Sequence, residues 1–464
     1  MMEGFIKKIE EQPISISQWI VGFVGIIFVR YFFEVLSSPT PSGIIQSDAY
    51  ALVHIGLFFL TIILLIICVA GYFTKNYTNV SKIILFLLPI VWFAPIFDII
   101  FSRGKGYIMS YIYDTHGALV LDFFKFFDPQ IMHGATYGMR IAYTILLLAV
   151  GFYIWLKRKK ILPVILTLLT LYVFMFIVGT IPSLLYTFTH LNTPNSTPSS
   201  VLYYVNDLVT KSNIYHNTLH ETAQSVPLIR FLQIGFDKLM SQILFILSFI
   251  LATIFFWKTS PQKFKAVIKN TRPERIFYYM SSFILTVGFA YITEREGVFS
   301  WVDVLGMICL LISWLGVWMY SVHVNDIADV QIDEISNSNR PIIQKTITSE
   351  EMHQIGYIYL ALALLGSWSA GFYPFFMALV GLAVSYIYSA SPLRLKRIPI
   401  LTTFLISIVC LAAALAGFFF VSIDKQIHSF PILVAMGILT PKECTLCQQF
   451  SRKTETGLWD FALP

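Results

Sequence analysis

Residues Ser321–Pro341 read S-V-H-V-N-D-I-A-D-V-Q-I-D-E-I-S-N-S-N-R-P. They close an apolar run, Trp301–His323, long enough to cross a bilayer, so Asp326, Asp329, Asp333 and Glu334 arrive where a membrane helix emerges. If the helix continues, positions 326, 329 and 333 recur at i, i+3 and i+7 and set three carboxylates on one face. Like charges so placed repel unless a cation lies between them. An oxygen-only donor set, with the Asn325 amide beside it, suits a hard ion such as Mg2+, which keeps some waters and shares its shell with substrate phosphates. Spacing alone equally allows a solvated acidic helix end.

Working outward, the chain has 464 residues, 56% hydrophobic, 16% aromatic and 12% charged, the composition of an all-α polytopic membrane protein. In such a protein a net charge of +6 mostly fixes orientation, and no nucleic-acid partner is expected. Cys68, Cys309 and Cys410 lie in apolar runs, where a thiol behaves as a small hydrophobe. Cys444 and Cys447 form one C-x-x-C, a weak metal or redox signal without a second pair.

Apolar runs suited to membrane helices occur at Ile16–Leu36, Tyr50–Tyr72, Ile83–Phe101, Ile141–Leu156, Ile161–Tyr186 and Leu239–Trp257. The first lacks a small-residue cleavage pattern and is expected to remain as an anchor. The second part adds Ile276–Ile292, Trp301–His323, Ile355–Ala370, Pro374–Tyr388 and Pro399–Val421, then a short run at Phe430–Leu439, so 11 to 12 spans are expected. Placing Lys7 and Lys8 inside and alternating, the strongly basic loops at 75–82, 157–160, 258–275, 340–345 and 394–397 all fall on one side. The N-terminus and the acidic stretch are therefore expected in the cytoplasm, in a multi-pass protein of the prokaryotic cell membrane.

The segment Y-I-Y-S-A-S-P-L-R-L-K-R-I-P at Tyr386–Pro399 returns to that same face with Arg394, Lys396 and Arg397. By itself it reads as a basic cluster that holds topology. Beside the acidic face it becomes an anion cradle, and carboxylates for Mg2+ next to Lys and Arg for negative oxygens match the binding of a diphosphate. In a membrane, the natural diphosphate is carried on a lipid tail.

The pattern N-D-x-x-D-x-x-x-D at Asn325–Asp333, continued by Asn339-Arg340-Pro341, resembles the first aspartate-rich motif of the UbiA superfamily of intramembrane prenyltransferases. The run Tyr388–Arg397 resembles its second landmark, and Thr271-Arg272-Pro273 is similar to its usual opening; the three stand in the family's order. The resemblance covers about residues 271–439. It implies a helical bundle in which Asp326, Asp329 and Asp333 are catalytic and bind Mg2+, while Asn325, Arg340, Arg394 and Lys396 bind the diphosphate. The implied reaction is Mg2+-dependent transfer of a prenyl group from a prenyl diphosphate to an aromatic or lipid acceptor.

Two departures qualify that expectation. The family carries a second motif of D-x-x-x-D type and about nine helices, whereas beyond Val421 this sequence has only Asp424 and Asp460. From Pro441 the chain is polar and unpatterned, which suggests a frameshift or premature end and predicts impaired transfer. The expected organisation is a six-helix membrane domain at 1–257, a basic cytoplasmic linker at 258–274, an incomplete UbiA-like domain at 275–440 and an atypical tail at 441–464. A multi-pass transporter and a non-catalytic membrane scaffold are the alternatives. In the first part Arg30, Glu34 and Asp98 are ionisable groups near membrane depth, a placement that is functional or, near the surface, structural. His216, His220 and Glu221 form H-x-x-x-H-E, which is not the zincin order.

Overall fold

A computed structural model describes residues 2–423, apart from 38–48, 105–106, 108–109, 128–133, 193–195, 223–226 and 295–298. Phe430–Leu439, Cys444, Cys447, Asp424, Asp460 and the polar tail lie outside the described residues. Every described element is helical, and among the described residues nine helices are long and apolar enough to cross a membrane. The all-α polytopic reading therefore stands. The chain divides into two compact units, residues 1–211 with 227–261, and 212–226 with 262–464.

The first unit opens with a short amphipathic helix α1 (Met2–Glu11) and the apolar α2 (Ile16–Leu36), whose start is fixed by a Ser15/Gln18 capping box. α3 (Ala49–Thr74) follows, then α4 (Tyr77–Leu87), a 3-10 turn at Leu88–Trp92 and α5 (Phe93–Phe101). The run at 83–101, expected as one span, lies within one candidate span, Tyr77–Phe101, whose helix is divided by the 3-10 turn where Pro89 cannot donate to the helical ladder. After α6 (His116–Lys125) come α7 (Tyr137–Arg158), α8 (Ile161–Gly179), α9 (Ile181–Thr189) and α10 (Pro198–Thr210). The run at 161–186 is likewise divided, at Thr180 just before Pro182.

The ionisable groups of this unit are structural clamps where they can be followed. Glu10 accepts from Tyr153 (2.8 Å) and Lys157 (2.7 Å), and its carbonyl from Lys82 (2.7 Å), so the basic ends of α4 and α7 gather on α1. Asp98 accepts the Gly138 N–H at 2.7 Å. A Cβ on Gly138 would stand 1.8 Å from the Ala94 carbonyl oxygen, so only glycine lets α5 and α7 touch there. Arg30 is buried against Glu34 and lies 4.7 Å over the Phe59 ring.

The unit is completed by a return of the chain in α12 (Leu228–Thr259), which packs along α3 and bonds to it through Thr61 and Ser248 (2.9 Å). This helix begins 11 residues before the apolar run at Leu239 that marks it in the sequence, because Asp237 and Lys238 are carried inside it as buried charges. Between α10 and α12 lies α11 (Asn213–Glu221), which belongs to the second unit.

That unit continues with α13 (Pro261–Lys269), α14 (Pro273–Glu294), α15 (Trp301–Ala328), α16 (Val330–Ser336), α17 (Ser349–Ala370), α18 (Phe372–Ser389), a 3-10 turn at Leu395–Arg397 and α19 (Pro399–Val421). Its core joins Phe283 and Val287 of α14, Leu310, Trp314 and Val317 of α15, Ala363 of α17 and Ala416 and Phe420 of α19. Small residues bring the helices close: a Cβ on Gly316 would meet Tyr359 O at 2.8 Å, and one on Gly417 would meet Phe283 O at 2.8 Å. With lipid outside, such packing rather than hydrophobic exclusion holds the spans together.

α11 closes one end of this bundle. Asn213 donates from its backbone to Asp303 (2.7 Å) and from its amide to Tyr291 (2.7 Å), Asn217 reaches the Ala370 and Phe420 carbonyls, and Glu221 accepts the Phe372 N–H at 2.8 Å. These partners are the same-side ends of α14, α15, α17, α18 and α19. Glu221 of the H-x-x-x-H-E stretch thus satisfies an orphan donor at the start of α18. The acidic and basic segments lie at the opposite ends of those five helices.

Candidate active site

The site is built where α15 ends. Its backbone ladder runs through Asp329 N to Asn325 O (3.0 Å), and Asp329 then serves as the junction from which α16 starts, with Asp333 N bonded to Asp329 O at 2.8 Å. The single continuous helix expected across 326–333 is therefore interrupted at Asp329, whose φ of −108° and ψ of 13° leave the helical region. The carboxylates consequently do not form one stripe: Asp329 meets Arg394 and Lys396, while Asp326 and Asp333 share Arg340.

Asp326 is fully buried. Its Oδ1 pairs with Arg272 Nη2 at 2.5 Å and lies 3.7 Å from Arg340 Nη1, while Oδ2 accepts from Asn270 Nδ2 at 2.8 Å. Asp329 is held by Arg394 and Lys396 together. Arg394 also donates to the Ala328 carbonyl at 3.1 Å, which ties the Tyr386–Pro399 return to the end of α15. The Asn325 amide oxygen accepts from Lys396 Nζ at 2.9 Å and from Ser389 Oγ at 3.2 Å. Asp333 accepts from Asn337 at 2.7 Å, and its buried Oδ2, 3.7 Å from Arg340 Nε, makes no hydrogen bond.

All seven residues singled out in the sequence thus fall at one end of the bundle, in two groups: Asp326, Asp333 and Arg340 in one, and Asn325, Asp329, Arg394 and Lys396 in the other. Two members were missed. Arg272 stands in the T-R-P opening, where a lone arginine before a membrane helix reads as a topology signal, and Asn270 has no sequence cue. Arg272 and Arg394 both adopt left-handed backbone conformations, with φ of 52° and 40°, an uncommon state for residues with a Cβ that concentrates at functional sites.

Three aspartates face four basic side chains, Arg272, Arg340, Arg394 and Lys396, so the described cluster has a surplus of one positive charge. Burial pushes the Lys396 ammonium below the ordinary lysine range; its bond to Asp329 opposes this and nearby Arg394 adds to it. Among the described residues no three His, Cys, Asp or Glu side chains lie close enough to hold a metal ion on their own. The donor set nevertheless fits Mg2+, which uses one or two carboxylates together with waters and substrate phosphates, and the unbonded Asp333 Oδ2 is such a donor.

Fold and site define an all-helical membrane protein with a cluster of paired charges at one end of its second helical bundle. Residues 283–446 match the UbiA prenyltransferase family, and so this stretch of the chain is UbiA-like, as its motifs indicated. Chloroplastic chlorophyll synthases of Avena sativa and Oryza sativa subsp. japonica are each 37% identical to it, over 114 and 112 residues; the matches cover 22% of this chain and 30% of each relative. The chain therefore spans less than a third of the length of these curated relatives. No solved structure matches.

Proposed function

We propose that the second unit is a prenyltransferase domain that binds a prenyl diphosphate with Mg2+ and transfers the prenyl group to an aromatic or lipid acceptor. One observation carries the reading. The segments 325–333 and 394–396, some 60 residues apart, meet with Arg272 and Arg340 at the same end of the bundle, so metal-binding oxygens and phosphate-binding cations share one place. Charge supports it as well: a diphosphate brings more negative charge than one surplus cation balances, and a divalent ion makes up the difference.

In this reading one or two of Asp326, Asp329 and Asp333, Asp333 through its unbonded Oδ2, would hold Mg2+ together with waters and phosphate oxygens, and the ion would supply Lewis-acid stabilisation of charge on the leaving diphosphate. Arg394 and Lys396 turn from Asp329 to the phosphate oxygens, Arg272 and Arg340 complete the anion site, and Asn325 orients Lys396. The prenyl C–O bond breaks with its electron pair going to the diphosphate. The allylic carbon then bonds to the acceptor, which gives up a proton. The basic loops that fall on one side support a cytoplasmic position for this chemistry.

The test is turnover of radiolabelled geranylgeranyl diphosphate by the purified full chain, with and without Mg2+, against Asp329→Asn. Mg2+-dependent prenyl transfer that Asp329→Asn lowers at least tenfold supports the reading. Saturable, Mg2+-dependent binding without transfer to any of a phenolic, a quinol or a lipid-alcohol acceptor would reduce it to a binding role.

A further inference from the structure

The first unit encloses a cavity of about 760 Å³, within the size range of small-molecule sites. Its walls come from α3, α7, α8 and α12 and from Ser110–Tyr113, and are mainly Ile, Leu, Phe, Val and Ala side chains. Besides Ser110, Asn206, Gln233 and the Arg30/Glu34 pair, a buried polar chain is set into them: Asp237 Oδ1 lies 2.7 Å from His54 Nδ1, and His54 Nε2 lies 2.8 Å from the Tyr111 hydroxyl. The His54 and Tyr111 rings are parallel, with Phe236 edge-on to both, so the three groups are fixed by aromatic packing as well as by hydrogen bonds.

The order of donors sets what this chain can recognise. The Asp237 carboxylate accepts from Nδ1–H, and the Tyr111 hydroxyl, whose hydrogen bond to Nε2 fixes its place, keeps a lone pair for a further donor. Among the described lining residues the one Lys or Arg is Arg30, paired with Glu34, so none of them offers a phosphate a free cation. Mainly apolar walls, no unpaired cation among the described lining residues and a tyrosine hydroxyl held in place by His54 are complementary to a neutral chain that carries a hydroxyl. We propose that this cavity is a binding site for a long-chain lipid alcohol whose hydroxyl donates to Tyr111. It lies wholly within the first unit and does not rest on the prenyltransferase reading of the second.

The test measures saturable binding of tritiated geranylgeraniol and oleyl alcohol to the purified full chain in nanodiscs. The variants are Tyr111→Phe, which removes the hydroxyl, and Ala142→Trp, which fills the cavity from a lining position. At least one alcohol is expected to bind at one site per chain, about three- to tenfold more weakly in Tyr111→Phe, the loss for one neutral hydrogen bond. Ala142→Trp is expected to abolish binding while leaving the helical circular dichroism and the unfolding midpoint of the full chain unchanged, which reports that the chain is folded. Absence of saturable alcohol binding to the unaltered protein overturns the proposal. So does equal affinity in Tyr111→Phe, or equally tight binding of geranylgeranyl monophosphate at the same site.

Discussion

Asp326 is fully buried between Arg272 and Asn270, with Arg340 3.7 Å away, and it is the residue whose loss should cost the second unit most. Deleting the carboxylate in Asp326→Ala removes the ion-pair partner of the mostly buried Arg272 guanidinium and one of the two carboxylates beside Arg340, and breaking a buried pair costs about 3–5 kcal/mol. Asp326→Asn is milder, because it keeps the shape and an acceptor for Asn270 and loses the charge. The Arg272 side chain is 16% exposed, so little solvent screens the pair, and the loss should lie near that of a hydrogen bond to a charged group, about 1.5–3 kcal/mol. Arg272→Met should cost a similar amount. In a double-mutant cycle the paired variant is then expected to lose less than the sum of the two singles, by about 1.5–3 kcal/mol. The assay is unfolding of the full chain in mixed micelles with rising dodecyl sulfate, followed by circular dichroism for all four proteins. Single effects that add to within about 0.5 kcal/mol would show that the two side chains do not act on each other and would refute the described pairing.

Other perturbations follow from the same contacts. Lys396, held below the ordinary lysine range by burial, should lose its proton earlier than usual as pH rises, so diphosphate affinity should fall on the alkaline side; Lys396→Arg, charged throughout, should keep its affinity to higher pH in a binding titration. Gly316→Leu should force α15 from α17, because even a Cβ would stand 2.8 Å from Tyr359 O; overpacking of this kind costs about 1–3 kcal/mol and is read as a lower unfolding midpoint. Asp122 in α6 is raised to about 7 by burial and by Asp114, so its folded form binds the proton more tightly than its unfolded form. Its stabilising contribution is complete below the unfolded value near 4 and is lost as pH rises through about 7, and Asp122→Asn should flatten that slope in thermal unfolding. Glu221→Ala should cost about 0.5–2 kcal/mol by leaving the Phe372 N–H at the start of α18 without its acceptor.

The charges that make the site were legible because they stand at helix ends in a chain otherwise poor in charge. A carboxylate or guanidinium there needs a partner, and the spacing of Asn325, Asp326, Asp329 and Asp333 named the chemistry before any contact was known. The break at Asp329 was hidden, since 329 and 333 keep helical spacing on either side of it. Arg272 was hidden by company: one basic residue before an apolar run looks like an orientation signal. The start of α12 was concealed by Asp237 and Lys238, which lower local hydropathy although both are buried. Nothing local joins His54 to Asp237, 183 residues later, or Asn213 to Asp303, 90 residues on; such pairings exist only once helices are packed.

Equilibrium binding of tritiated geranylgeranyl diphosphate to the purified full chain, with Mg2+ and with EDTA, tests the site most directly. Saturable binding is expected that requires Mg2+ and weakens at least tenfold in Asp329→Asn. Absence of saturable binding, or binding as tight in EDTA and in Asp329→Asn as in the unaltered protein with Mg2+, would contradict a diphosphate and metal site at the end of α15.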